Sequence, residues 1–281
     1  MRTIEDIVER IRAHRCSAHP VFRHWASVDP EPDAVGALFH QIQKFCASTR
    51  PGGNFPEALQ RHGMGSESGL LQEIVESEEN HGPELARMAG YILNRAAGRA
   101  VCPDLHDQEA VEGKLRECSD RLLGTLPGYD RDSGLTVQAR KAIAVFARRD
   151  RTDRESTFRN LGTALALEMI SNRHLIPGEK GCLVDSGIYG VSMDDPEMHY
   201  LVEHWGEAGA EGQHEKNAFQ AVSSVLNEES ERWILEGADD FLDSLAGLWD
   251  LLDAALLRSG FAEPEARVPS SGRRPSEAVR S

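Results

Sequence analysis

The sequence predicts an all-α protein with a single domain, on three observations. Apolar residues recur at three- and four-residue spacing through most of the 281 residues, and proline and glycine fall between those periodic runs. No stretch shows the period-two alternation of a half-buried strand, and no repeat period emerges. A chain of this length with 40% hydrophobic residues can bury a large core. We expect a helical domain over residues 1–260 and a disordered tail over 261–281, which is rich in Pro, Ser and Arg.

The elements follow in order. Ile4, Ile7, Val8 and Ile11 form a helical stripe between Thr3 and Arg15, with Thr3 and Asp6 placed as a capping box. Pro20, Pro30 and Pro32 break the next segment, and Val35, Leu38, Phe39, Ile42 and Phe45 then restore the helical period. RPGGN is a turn, FPEALQRHG a short helix entered at Pro56, and a further helix begins at Ser66 or Ser68. Gly82-Pro83 must split it, because proline lacks an amide hydrogen and restricts the residue before it. Leu115, Cys118, Leu122 and Leu123 predict a helix within Asp104 to Gly124, and LPGYDRDSG an exposed loop. Helices over Thr136 to Arg149 and Asp153 to Leu175 come next, the second with the apolar centre LGTALALEMI. IPGEKGCLVDSGIYGVSMDDP reads as a long glycine-rich connection of the kind that covers sites. From Asp194 a long helix, with Pro196 in its first turn, is expected to pass Phe219 and reach about Leu235; a last helix spans Asp239 to Arg258.

Composition excludes several function classes. A formal charge of -15 lacks the basic footprint that nucleic acid or an anionic membrane requires. No apolar run approaches bilayer length, and the charged amphipathic N-terminus has no signal-peptide core, so a cytoplasmic location is expected. Cys16, Cys46, Cys102, Cys118 and Cys182 are scattered without a C-x-x-C pair and read as buried thiols. A small molecule is the expected partner, and a homodimer is compatible with the sequence.

Chemistry concentrates in two Glu-x-x-His units, Glu78-His81 and Glu211-His214. Three-residue spacing sets a carboxylate and an imidazole on one helix face, where both can bind one metal ion. Around the second unit His199, Glu203, Glu207, Glu211 and Glu215 follow one another at four-residue spacing, which reads either as a wall of ligands or as a solvated acidic face. Glu168 is flanked by apolar residues on nearly every side and needs a partner; a metal would serve, as would Arg159 or Arg173. Gly206, Gly209 and Gly212 mark either a close approach to the backbone or a kink. His14, His19, His24, His62 and His106 read as surface or structural, and His174 suits a helix C-terminus. His40, Gln41 and Gln43 could line a pocket or form the polar face of their helix.

The order FHQIQKF, FPEAL, LLQEIVESEENHGPELARM, LGTALALEMISN and EAGAEGQHEKNAF, with a terminal tryptophan-bearing helix, resembles the heme-oxygenase-like diiron oxygenases, relatives of the TenA thiaminases and of pyrroloquinoline quinone synthase. The resemblance covers about Val21 to Leu257 and implies a heme-oxygenase-like helical bundle. It also implies an iron-dependent oxygenase with two Fe(II) ions and dioxygen as co-substrate, acting on an amino acid, amine or fatty acid. Its ligands would be Glu78 (or Glu79) with His81, then Glu168, then Glu207, Glu211 and His214, with Gly209 beside the substrate. The chain departs from the family at Glu207, where histidine is usual; His204 could serve instead if the helix is distorted. The alternatives are a metal-free small-molecule binding protein and a cofactor-independent TenA-like enzyme on the same fold.

Overall fold

Several helices open where a side chain satisfies a free backbone group. In the computed structural model, which describes residues 2–49, 54–78, 81–206 and 209–259, the Thr3 hydroxyl accepts from the Asp6 amide while the Asp6 carboxylate accepts from that of Thr3, opening α1 (Ile4–Ala13). α2 (Val21–Ser27), α3 (Pro32–Thr49), α4 (Phe55–Arg61), α5 (Gly65–Ser77) and α6 (His81–Ala97) follow. Asp107, Thr136 and Asp153 cap α7 (Gln108–Leu123), α8 (Val137–Ala144) and α9 (Arg154–Ile170). The chain ends with α10 (Ile176–Lys180), α11 (His199–His204), α12 (Ala210–Val225) and α13 (Glu231–Ser259). Among the described residues there is no strand, only an isolated bridge between Asp130 and Leu135, and the fold is all-α. None of these helices is long and apolar enough to cross a membrane. The tail from residue 260 lies outside the described residues.

Several expected boundaries differ. The break expected at Gly82-Pro83 falls earlier, α5 ending at Ser77 and α6 opening at His81 with Pro83 in its first turn. IPGEKG is not a loop: α9 passes through a π-helical turn (Ser171–Leu175) into α10 and a second π-helical turn (Gly181–Asp185). The wider turns already leave backbone groups out of the i→i−4 ladder, so Pro177, which has no amide hydrogen, is accommodated. The single helix expected from Asp194 is instead α11 and α12, separated at Trp205 to Gly209, and Gly206 takes the left-handed φ of 87° that turns the chain. α12 stops at Val225 because the Asn227 side chain accepts from the Glu229 and Ser230 amides while the Ser230 hydroxyl accepts from the Asn227 amide, starting α13 eight residues before the expected Asp239.

α9 is the central helix. Ser156 to Phe158 and Asn160 to Ile170 are all buried on it, with α13, α12 and α4 packed around. Its crossing with α13 is unusually close, because a Cβ on Gly162 would collide with the carbonyl oxygen of Ile234 and one on Gly237 with that of Arg159. Thr163 Oγ1 donates to the Gly237 carbonyl at the same crossing. On its other side α13 presents acids to the N-terminal segment: Arg2 meets Glu231, Arg10 meets Asp239, His14 meets Asp243, Arg15 and His19 meet Asp250, and His24 meets Asp253. These contacts give His14, His19 and His24 structural roles. His174 differs from expectation: it lies inside the continuing helix, edge-on to Phe22, and burial with nearby His19 lowers its pKa to about 4, so it is neutral and does not serve the helix dipole as a cation.

Gly162→Ala should lower stability by about 1–3 kcal/mol, the usual cost of overpacking a core, despite a gain in helix propensity. Gly247→Ala, in the same fold but facing open space, should raise stability by about 1 kcal/mol. Paired denaturant titrations check both signs.

Candidate metal centre

Helix ends and one helix interior converge on a buried cluster. Ser77 ends α5 and Glu78 caps it; His81 opens α6; His204 closes α11; Glu211 and His214 occupy the first turns of α12; Glu168 sits in the last turn of α9. Glu168, His204, Glu211 and His214 are buried, His81 nearly so, and the Glu78 side chain keeps 23% of its exposure. The break between α11 and α12 is what brings His204 in. Gly209 allows it, since a Cβ there would strike the His204 carbonyl.

The spacing of these groups is characteristic. His214 Nδ1 lies 3.6 Å from Glu78 Oε1 and 3.7 Å from Glu168 Oε2; His204 Nε2 lies 3.8 Å from Glu78 Oε1 and 3.7 Å from Glu211 Oε1. These separations are too long for hydrogen bonds. Around a tetrahedral ion with ligands at about 2.1 Å, neighbouring donor atoms lie about 3.4 Å apart, close to what is seen. Two groups whose donor atoms all lie within 4.8 Å of one another share Glu78: Glu78, His81 and His204, and Glu78, Glu211 and His214. His214 Nδ1 and Glu211 Oε2 are buried with no hydrogen-bond partner, as expected of atoms reserved for an ion.

The outer contacts orient two imidazoles. Ser77 Oγ donates to the Ile74 carbonyl at 2.9 Å, so it accepts from His214 Nε2 at 2.6 Å and the Nδ1 lone pair of His214 is left facing Glu78 and Glu168. His204 Nδ1 lies 2.6 Å from the Tyr200 carbonyl, which only accepts, so Nε2 is the free donor atom. His81 Nδ1 is 2.7 Å from Glu78 Oε2, and although burial opposes it, this contact and the charges of Glu203 and Glu84 raise the His81 pKa.

Without an ion the carboxylates are poorly compensated. Burial and the charge of Glu78 raise the pKa of Glu168; burial, then Glu168, Glu78 and Glu179, raise that of Glu211. Arg149 is the cation whose field reaches Glu168, and its guanidinium donates to the carbonyls of Ser48 and Thr49. Burial opposes ionisation of Glu78 too, but His204 and His81 hold its pKa well below the ordinary range. Burial lowers the pKa of His214 to about 4 and keeps it neutral, the form that binds metal. Outside this cluster, burial raises Glu179 to about 8.

A cavity of about 270 Å³ opens onto Glu78, His81, Glu168, His204 and Glu211. Phe45, Ile74, Leu85, Leu167 and Leu175 line it with apolar groups, and Gln43, Lys44, Gln108 and Glu112 add a polar patch in which the first three meet Glu112. Cys46 also lines it; burial and the charges of Glu179, Glu78 and Glu211 push its thiol pKa up, the reverse of what a nucleophile needs.

The expected site residues Glu78, His81, Glu168, Glu211, His214 and His204 are therefore brought together. Glu79 and Glu207 lie outside the described residues. The arginine partners considered for Glu168 are engaged elsewhere, Arg159 with Glu236 and Arg173 with Glu215. His40 and Gln41 are not brought to the cavity. His40 Nδ1 lies 3.1 Å from Ser119 Oγ, and Gln41 donates to the Gly134 carbonyl and accepts from Thr136, tying down the loop before α8. Gly209 lies against the backbone of His204 rather than on the cavity wall. Of the three glycines, Gly206 and Gly209 serve the chain break, and nothing approaches Gly212 closely. Sequence reasoning missed Ser77, whose adjacency to Glu78 was its sole signal, and the polar patch of the cavity at Lys44 and Glu112.

Two outcomes are expected. Ser77→Ala should weaken divalent-metal binding about ten- to hundredfold, as lost outer contacts to ligand histidines do, measured by competition with a chelating dye. Because the folded-state pKa values of Glu168, Glu211 and Glu179 lie above unfolded values, their contribution to stability is present below the ordinary glutamate range and lost as pH rises through the folded values, about 8 for Glu179. The metal-free protein should accordingly unfold at lower denaturant concentration at pH 9 than at pH 6, and Glu179→Gln should flatten part of that dependence.

No family model, curated protein or solved structure matches the chain.

Proposed function

We propose that this chain is a non-heme iron oxygenase, with a buried centre for two Fe(II) ions, that uses dioxygen to oxidise a small organic molecule in the adjoining cavity. The observation that carries the reading is the pair of imidazole nitrogens, His214 Nδ1 and His204 Nε2, oriented by Ser77 and Tyr200 toward carboxylates at the spacing of ligands around a common ion. A metal-free binding protein would leave His214 Nδ1 and Glu211 Oε2 buried without a hydrogen-bond partner.

The donors are imidazole and carboxylate without thiolate, a set that suits iron among other divalent transition metals. Glu78, His81 and His204 would hold one ion and Glu78, Glu211 and His214 the other, with Glu168 beside the second. Bound iron would supply dioxygen activation. The chain's own groups do the rest: Leu167, Leu175, Ile74 and Phe45 exclude water beside the centre, and the polar patch of the cavity at Gln43, Lys44, Gln108 and Glu112 can hold the head group of an amine, amino acid or fatty acid.

Anaerobic loading with Fe(II), followed by desalting and metal analysis, tests the reading. Wild type should retain at least about two ions, and a Glu211→Ala, His214→Ala double variant at least one fewer than wild type. Equal iron in both proteins would remove the proposal. Admitting oxygen to the loaded wild type should then consume it faster than in the variant.

A further inference from the structure

A second set of donors lies on the solvent side of His81. His81 and Glu84 are three residues apart at the start of α6, and His199 and Glu203 are four apart on α11, which packs against α6. The two pairs therefore face one another. His81 Nε2 lies 3.6 Å from Glu203 Oε2, His199 Nδ1 lies 3.4 Å from Glu84 Oε1 and 3.7 Å from Glu203 Oε1, and His81, Glu84 and Glu203 form a compact donor group. His199 stands outside that group but beside both of its carboxylates, and all three separations are longer than hydrogen bonds.

The carboxylates have few other claims on them. Among the described residues, the ion pairs of Glu84 and Glu203 are with histidine rather than with lysine or arginine, and Glu84 Oε2 is enclosed with no hydrogen-bond partner. An enclosed carboxylate oxygen without a donor is costly unless something cationic meets it. Access is graded outward: His199 is 53% exposed and Glu203 41%, against 10% for His81. His81 spans the boundary, with Nδ1 on Glu78 of the buried centre and Nε2 on Glu203 of the outer set.

We propose that His199, Glu84, Glu203 and His81 Nε2 form a separate surface site for one divalent transition-metal ion, and that His81, whose neutral imidazole can ligate an ion on only one side at a time, leads from it to the buried centre. Two imidazoles and two carboxylates suit Fe(II), Co(II), Zn(II) or Mn(II), and a solvent-facing position lets the ion enter with part of its hydration shell. Glu203 and His81 are then the ligands past which the ion moves inward, each offering donor atoms on the path. The inward route rests on the buried centre proposed above; the surface site does not.

Titrating the metal-free full-length chain with Co(II), read by its visible absorption and by metal analysis after desalting, tests both parts. A His199→Ala, Glu84→Gln double variant should bind one equivalent fewer than wild type, while the Glu211→Ala, His214→Ala variant keeps that equivalent. With limiting Co(II), the outer variant should fill its remaining positions at least about fivefold more slowly than wild type. Unchanged stoichiometry in the outer variant overturns the site, and an unchanged filling rate overturns the inward route. If the outer equivalent is present and no buried equivalents are found, the iron centre fails and the surface site stands. Circular dichroism checks folding of the double variant; should it not fold, the single exposed change His199→Gln must weaken one Co(II) equivalent about tenfold or the site is overturned.

Discussion

Glu78, Glu168 and Glu211 meet inside the protein with His81, His204 and His214 and without a lysine or arginine ion-paired to them among the described residues. Bringing carboxylates together away from water raises the free energy of their charged forms, and the raised pKa values of Glu168 and Glu211 express that cost. A fold that retains such a cluster needs a cation there or must hold protons in its place. Its architecture follows from this constraint, because the elements that carry these residues could not otherwise be packed so close.

The chain meets the constraint by delivering most donors from helix ends. Glu78 and His81 flank the junction between α5 and α6, while His204 and Glu211 flank the junction between α11 and α12. A helix end can turn its side chain toward a common point without requiring a whole helix face to be polar, so the bodies of α5, α6 and α12 remain free to bury Leu71, Leu85, Ala218 and Val222. Ser77 and the Tyr200 carbonyl then fix the two imidazoles whose ring orientation the backbone alone does not set.

How much of this was legible from the sequence depended on the range of the interaction. Glu168 could be singled out because its neighbours along a buried helix are apolar, and the Glu-x-x-His units because three-residue spacing is a local property. The all-α class was legible for the same reason. His204 was not fixed by spacing, since its place depends on the left-handed turn at Gly206 and on the contact of Gly209 with the His204 carbonyl, which only the folded chain brings about. The continuation of α9 through Pro177 was hidden because π-helical turns have no simple sequence period. His40 and Gln41 were polar residues on an apolar helix, a pattern that does not distinguish a cavity wall from the buried hydrogen bonds they make to Ser119 and Thr136.

The donors also differ in how firmly they are held. Glu168 belongs to the interior of α9, whose backbone is locked against α13 at Gly162 and Gly237, so it stands as a fixed wall. Glu78, His81, His204 and Glu211 sit at helix junctions, where a change of a few backbone angles moves a side chain without disturbing the core. Repulsion among the carboxylates acts most freely on this adjustable side, and a bound cation would reverse it and draw the junctions toward α9. A cation held here would therefore act most on Glu78, His81, His204 and Glu211 at the helix ends, and least on Glu168 within the α9–α13 packing.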